Sequence, residues 1–197
     1  MAVAHASKHS IAKAAKTKSR NCGAILSAKE MCVAGLCILA FLILCHGWTQ
    51  SPTINYCLDS ETVFVADVVI TNATVDEVMY VNYTVEFTER LRYNPRLDVI
   101  MTIADGPHIP CIDEVGSCSY SLCYARNEIE VQVTNSWGND CPVPQGLYRG
   151  HLHYKLTQTA WTILKGRAVL IKVNVINGGE LVGCFRLSAM VRPAGHW

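Results

Sequence analysis

Apolar and polar residues alternate in seven segments of the chain after Ser51, with the period of two that half-buried β-strands show. The alternating segments are residues 61–70, 78–88, 96–105, 128–134, 147–157, 167–176 and 181–191. Turn-forming residues separate them, and the clearest turn is Asn177-Gly178-Gly179-Glu180, where glycine accepts a positive φ. No clear amphipathic helix interrupts the series. About seven such strands predict an all-β, immunoglobulin-like two-sheet β-sandwich.

The alternation also predicts which side chains face the space between the sheets, because neighbours along a strand point to opposite faces. In each segment the apolar residues fall on one face. We expect the following to point inward: Phe64, Ala66, Val68, Ile70, Met79, Val81, Tyr83, Val85, Phe87, Leu97, Val99, Met101, Ile103, Ile129, Val131, Val133, Tyr148, Leu152, Tyr154, Leu156, Val169, Ile171, Val173, Val175, Leu181, Phe185, Leu187, Ala189 and Val191.

The first 50 residues differ from the rest and predict a targeting segment. Residues 1–30 carry six Lys/Arg and one acid, and residues 31–45 are uncharged. That apolar run is shorter than the roughly 20 residues of a membrane-spanning helix and fits the apolar part of a secretory signal. The sequence therefore predicts a basic leader and signal peptide over residues 1–50 and a single domain over residues 51–197.

Cleavage of the leader is expected between Cys45 and Ser51, which makes the protein secreted and extracellular. Two alternatives stay open for this region. The apolar run could be an uncleaved signal anchor with its basic end in the cytoplasm, and Met31 could be the true start. Delivery to the endolysosomal lumen is the third possible destination.

Charge and motifs favour a binding module over an enzyme. Residues 51–197 hold eleven Lys/Arg and fifteen Asp/Glu, a formal net charge of −4. No basic patch appears, so a nucleic acid is not an expected partner. The sequence contains no phosphate-binding Gly-Lys-Ser loop, no His-Glu-x-x-His zinc motif and no Gly-x-Ser-x-Gly nucleophile motif. We predict no enzymatic activity and no cofactor.

Six cysteines in the exported part read as a disulfide framework. They are Cys57, Cys111, Cys118, Cys123, Cys141 and Cys184. Many pairings are possible from the sequence alone, although a bridge between the first and the last would tie the ends of the domain together. A zinc site is the rival interpretation, but the spacings differ from the paired ligands of zinc fingers, and export favours oxidation.

The cysteine segments resemble motifs of the ML (lipid-recognition) family. The first is Ile109-Pro110-Cys111-Ile112-Asp113-Glu114-Val115-Gly116-Ser117-Cys118-Ser119-Tyr120 with Cys123 close behind, which is most similar to the ganglioside-activator branch. Cys141-Pro142-Val143-Pro144-Gln145-Gly146-Leu147-Tyr148 and Gly183-Cys184-Phe185 follow in the expected order. Over residues 57–191 the chain looks most like secreted arthropod members.

This resemblance implies a sandwich whose sheets separate at one end to hold a lipid. It also implies the disulfides Cys57–Cys184, Cys111–Cys118 and Cys123–Cys141. The implied function is to bind a hydrophobic ligand such as a sterol, a fatty acid or a microbial lipid, for transport or innate recognition. The alternative is a filled sandwich that acts as a secreted protein-interaction or immune-modulating module. A receptor or a membrane surface is a further possible partner.

A lipid site needs apolar walls and a few polar groups at its mouth. From the inward positions we select these candidate lipid-binding residues: Val81, Tyr83, Val85, Leu97, Val99, Met101, Leu152, Tyr154, Trp161, Val169, Ile171, Phe185 and Leu187. For Trp161 the alternative is a lid over the core. Trp137 is either an exposed contact or an anchor of its loop.

Four polar residues complete the candidates. Asn72 and Asn82 begin Asn-x-Thr sequons and are predicted glycosylation sites in an exported chain. His151 and His153 share one strand face, where a metal pair is geometrically conceivable. They lie beside Arg149 on a face that we expect to be solvated, so no metal site is predicted.

Overall fold

The computed structural model describes residues 48–104, 106–164 and 166–194, without the side chains of Ala160, Trp161 and Leu164. The predicted leader up to residue 47, including the alternative start, lies outside the described residues. Over these ranges the chain forms β1 (Thr49–Gln50), β2 (Asn55–Tyr56), β3 (Val63–Thr71), β4 (Val78–Phe87), β5 (Arg96–Ile103), β6 (Ser119–Ser121), α1 (Glu128–Thr134), a 3-10 turn (Asn135–Trp137), β7 (Gly146–Lys155), α2 (Gln158–Leu164), β8 (Ala168–Asn177) and β9 (Glu180–Met190). No helix within the described ranges is long and apolar enough to cross a membrane.

The strands form two antiparallel sheets, as the alternation predicted. The four-stranded sheet has the order β1-β3-β4-β7, and the five-stranded sheet has the order β2-β9-β8-β5-β6. Inward side chains of both sheets belong to one hydrophobic core. The two-sheet sandwich is therefore confirmed, and the predicted turn between β8 and β9 is present, with Gly178 and Gly179 both at positive φ.

Strand β1 lies within the stretch that the sequence assigned to the leader. Its residues pair with the end of β3, Gln50 opposite Ile70. The Gln50 side chain also donates to the Met190 carbonyl (2.9 Å) and accepts from the Met190 amide (2.8 Å). The Arg192 guanidinium stacks over the Trp48 ring at 4.0 Å. Residues 48–50 are thus held by both sheets.

The predicted inward face of β3 is wrong in its first half. Phe64 is 40% exposed, whereas Val63 and Val65 are buried. The pairing of β3 with β4 shifts between Ala66 and Val69, and Asp67 has a φ of 53°. A bulge adds one residue to a strand, so it moves every later side chain to the other face. Val68 and Ile70 are consequently buried as expected, while Phe64 and Ala66 face outward.

The prediction for β9 fails at one position for a similar reason. Leu181 is 43% exposed, although Leu187 and Ala189 on the same strand are buried as expected. The register between β8 and β9 shifts after Val175, which pairs with Gly183, whereas its neighbour pairs with Leu181. The irregular pairing next to the β8–β9 turn therefore places Glu180 and Leu181 on the outer face of the sheet.

Residues 128–134 form α1 instead of the predicted strand, so the expectation of a domain without helices was wrong. The Asn127 side chain accepts a hydrogen bond from the Glu130 amide (2.8 Å), which is the usual cap of a helix N-terminus. Ile129 and Val133 are four residues apart, and this spacing places both on one face whether the segment is a helix or a strand. Val131, predicted inward with them, is 44% exposed.

The helix is fixed by a buried carboxylate that a strand would have placed in solvent. Glu130 is 5% exposed and accepts hydrogen bonds from the amides of Ser121 (2.7 Å) and Arg126 (2.6 Å). A buried carboxylate is tolerated only when such donors satisfy it. These contacts attach α1 to the end of β6.

Helix α1 also covers the free edge of β7, the last strand of its sheet. The Gln132 side chain donates to the His153 carbonyl (3.1 Å) and accepts from the His153 amide (2.7 Å). The amide group of Gln132 thus takes the place that a neighbouring strand would occupy. Exposed strand edges otherwise pair with other chains, so this contact closes one of them.

Three disulfides join Cys57 with Cys184, Cys111 with Cys118, and Cys123 with Cys141. They are the pairs that the family resemblance implied. The first joins the end of β2 to β9 within the five-stranded sheet. The third joins the segment after β6 to the segment before β7, so it links the two sheets. Disulfides of this kind are typical of secreted or lumenal proteins.

Candidate functional site

The central feature of the sandwich is a cavity of about 310 Å³ between the two sheets. Every long strand contributes apolar side chains to its walls, and so do both helices. Twelve of the thirteen candidate residues line it: Val81, Tyr83, Val85, Leu97, Val99, Met101, Leu152, Tyr154, Val169, Ile171, Phe185 and Leu187. The thirteenth, Trp161, belongs to α2, but its side chain lies outside the described residues.

The burial of the inward residues shows where the sheets separate. On β4, Val85 and Phe87 are 6% and 3% exposed, as expected of a packed core. Val81 and Tyr83 on the same face are only half-buried, although they point toward the opposite sheet. A side chain between two sheets stays accessible only where the facing side chains do not touch it. The middle of the sandwich is therefore open.

One end of the cavity is closed by an aromatic cluster of Phe87, Trp137 and Tyr148. The ring centroids of Phe87 and Trp137 are 5.7 Å apart, and those of Trp137 and Tyr148 are 6.1 Å apart. Edge-to-face rings at these distances pack favourably. Trp137 is 5% exposed, so its role as a loop anchor is confirmed and the exposed-contact alternative is wrong.

The other end is the mouth, because the lining residues there reach the protein surface. Ile112, in the loop closed by Cys111–Cys118, is 37% exposed, and Thr159 at the start of α2 is also exposed. The Tyr154 hydroxyl donates to the Asp113 carbonyl (2.9 Å), which ties this loop to β7. The Tyr120 hydroxyl donates to the Glu114 carbonyl (2.6 Å) and ties it to β6.

The described walls of the cavity carry almost no charge. Glu114, at the mouth, is the one charged residue among the described residues that line it. Burial, chiefly, and then the nearby Glu114 carboxylate raise the pKa of Tyr120 to about 12. Burial also raises the pKa of Tyr83, with a partly opposing effect of the Ser136 hydroxyl, and the pKa of Tyr154. The phenols therefore stay neutral near pH 7.

Several wall residues were not among the thirteen selected candidates, although the strand pattern placed Ile129 and Val133 inward. Ile129 and Val133 line the cavity from α1, and Ile163 lines it from α2. Their spacing of four residues was the available signal for the first two. Ile112 and Val115 lie in the cysteine loop, where no periodicity exists to reveal an inward side chain.

The two histidines lie on the outer face of the four-stranded sheet, away from the cavity. His151 Nδ1 is 2.6 Å from Asn82 Oδ1, and His153 Nε2 is 3.7 Å from a Glu128 carboxylate oxygen. Among residues 48–104, 106–164 and 166–194, no three His, Cys, Asp or Glu side chains are grouped as metal ligands.

The two sequons occupy different settings. Asn82 is on the outward face of β4, partly exposed. Asn72 follows β3 with a φ of 59°, and its Nδ2 donates to Glu77 (2.8 Å) and to the Val78 carbonyl (3.1 Å).

Comparison with known proteins gives a structural match but no sequence relative. No protein-family model matches the chain, and no curated protein matches it. A Niemann-Pick type C2 protein from the Japanese carpenter ant is among the solved structures that match. The match has a TM-score of 0.45 and 10% sequence identity, and it covers 71% of this chain and 99% of the ant chain.

Proposed function

We propose that this protein binds a hydrophobic molecule between its two sheets and carries it through an aqueous compartment. The observation that supports this proposal is the apolar cavity of about 310 Å³ with a mouth at the surface. Small-molecule sites usually have volumes of roughly 300–1,000 Å³ and predominantly apolar walls. The cavity has the size for one compact ligand, such as a single acyl chain.

The driving force for binding is the removal of apolar surface from water. A ligand that buries about 300 Å² of apolar surface gains about 7.5 kcal/mol at ~25 cal/mol per Å². Part of that gain offsets the loss of translational and rotational freedom. Met101, a flexible thioether in the cavity wall, adapts to ligands of different shape.

The ligand class is a sterol, a fatty acid or a microbial lipid, in agreement with the resemblance of the cysteine segments to the ML family. The proposed function is non-covalent binding, and it includes no enzymatic step. Glu114, the one charged residue among the described lining residues, lies at the mouth, so a ligand inside the cavity contacts mainly apolar side chains.

The proposal also covers where the protein is delivered and which asparagine is glycosylated. The three disulfides suit an oxidising compartment, and we propose that the leader directs the protein to the extracellular space. Asn82 is the better placed of the two glycosylation sites, because its side chain stands on an outer sheet face.

Native mass spectrometry of protein secreted by eukaryotic cells tests the proposal directly. The expected result is a bound apolar molecule that is released on unfolding, at one molecule per chain. Recovery of an empty protein that also fails to bind a fluorescent fatty acid would contradict it. That outcome would favour the alternative, a protein-interaction module.

A pair of variants on one strand adds a matched control. Val99→Phe places a larger side chain in the cavity and is expected to lower the affinity for the fluorescent fatty acid at least about tenfold, since it takes up ligand volume. Ile100→Phe adds the same ring one residue along, on the outer face of β5, and should leave affinity unchanged. Equal affinities for both variants would place the ligand elsewhere.

A further inference from the structure

The mouth of the cavity carries a negative charge that no described cation offsets. Glu114 is half-buried in the loop closed by Cys111–Cys118, and it is the one charged residue among the described residues that line the cavity. It forms no ion pair with any described residue. A ligand that fills the cavity therefore has this carboxylate beside the end that faces the solvent.

The loop holds Glu114 in a defined position at the mouth. Asp113 and Glu114 both have positive φ, 48° and 64°, and their carbonyl groups accept hydrogen bonds from Tyr154 (2.9 Å) and Tyr120 (2.6 Å). Both tyrosines line the cavity. Burial, chiefly, and then the Glu114 carboxylate raise the pKa of Tyr120, so this carboxylate lies near a hydroxyl group of the cavity wall.

The hydrogen-bond donors of these two tyrosines are already in use. A phenol has a single O–H donor, and in Tyr120 and Tyr154 it is bonded to a carbonyl of the loop. No Lys, Arg or His is among the described residues that line the cavity. An anionic head group at the mouth is thus repelled by Glu114 without a cation from the described walls to offset it, whereas an ammonium group is attracted.

The apolar interior determines which end of a ligand stays beside Glu114. Side chains such as Phe87, Val99 and Leu187 surround the space between the sheets. A charged group placed among them would lose its hydration, which is strongly unfavourable. A single-chain amphiphile therefore enters with its hydrocarbon tail and keeps its polar head at the mouth.

We infer that Glu114 determines which head group the cavity accepts, so that a long-chain amine binds more tightly than the alcohol of equal length, and the alcohol more tightly than the carboxylate. This inference rests on the proposed function and ranks the ligands within its class. Fatty acids fill the same space as the amines, but they bring a second negative charge to the mouth.

The test compares dodecylamine, dodecanol and dodecanoate at pH 7 by displacement of an uncharged naphthylamine dye from the secreted protein. The wild type is expected to bind the amine about tenfold more tightly than the carboxylate, with the alcohol between them, and high salt should reduce this ratio. In Glu114→Gln, which keeps the side-chain size and the carbonyl that Tyr120 uses, the ratio should fall to about twofold or less. Glu114→Lys should reverse the order.

Glu180→Gln is the matched control, because it removes the same charge from the exposed start of β9, outside the cavity lining. It should keep the wild-type ratio. Equal affinities of the wild type for the amine and the carboxylate, or an unchanged ratio in Glu114→Gln, would overturn the inference while leaving the proposed function intact. Failure of all three ligands and of a fluorescent fatty acid to bind would overturn both.

Discussion

Tyr83 shows how a single side chain shapes the cavity. It lies opposite Gly150 on the neighbouring strand, and a Cβ added to that glycine would be 2.0 Å from Tyr83 Cζ. The phenol ring therefore lies across the sheet, over the space that any other residue at position 150 would fill. A flat ring keeps the centre of the sandwich wide, because an upright one would extend toward the opposite sheet.

Gly150→Ala tests this arrangement. The added methyl group must displace the Tyr83 ring, so we expect the protein to lose about 1–3 kcal/mol in its free energy of unfolding and to bind a fluorescent fatty acid more weakly. Urea denaturation and probe titration provide the measurements.

The matched control for this prediction is the same substitution in a Tyr83→Val background, where little ring volume remains to be displaced. The cost of Gly150→Ala should fall well below its value in the wild type, as a double-mutant cycle would show. An equal cost in both backgrounds would mean that the ring does not lie over Gly150.

Helix α1 has two structural roles that the sequence pattern did not predict. It places Ile129 and Val133 in the cavity wall, and it covers the edge of β7 through Gln132. The alternation Glu128-Ile129-Glu130-Val131 satisfies a strand pattern, and it decides nothing by itself over so short a segment. Asn127, a favourable N-cap residue, was the local signal for a helix.

Gln132→Ala is expected to expose the edge of β7. The His153 amide loses its acceptor, so its hydrogen exchange should become at least about tenfold faster, while the free energy of unfolding falls by about 0.5–1.5 kcal/mol. Gln132→Glu retains an oxygen acceptor and should retain most of the protection. An unchanged exchange rate of the His153 amide in Gln132→Ala would show that this amide does not depend on the Gln132 side chain for protection.

Strand periodicity predicted all six long strands and twelve cavity-lining residues, because alternate side chains of a strand lie on the same face and are buried together. It failed at Phe64 and Leu181, where a bulge and a register shift break the period. It could not reveal the cavity either. Alternation says which side chains face the opposite sheet, but the distance between the sheets depends on contacts between residues far apart in sequence.

At the scale of the whole molecule, the disulfides differ in how much of the chain they constrain. Cys57 and Cys184 are 127 residues apart in sequence, whereas Cys111 and Cys118 are seven apart. In the chain-entropy account, closing the longer loop removes more freedom from the unfolded chain. Both bridges have Cα–Cα distances in the normal range, 5.2 Å and 5.0 Å.

We therefore expect Cys57→Ser with Cys184→Ser to lower the free energy of unfolding by about 4–5 kcal/mol, and Cys111→Ser with Cys118→Ser by about 2–3 kcal/mol. Guanidinium denaturation under non-reducing conditions measures both. Equal losses would indicate that loop length does not control the effect. The second pair should in addition weaken ligand binding, because its loop forms one side of the mouth.

The Cys123–Cys141 bridge has a mechanical consequence for the passage of cargo. It joins the segment after β6 to the segment before β7 and so links the two sheets, and no other disulfide among the described residues links them. If the sheets separate to admit a large ligand, the segments joined by this disulfide must stay together. We therefore expect the two sheets to separate more readily at the mouth than at this disulfide when a ligand enters or leaves.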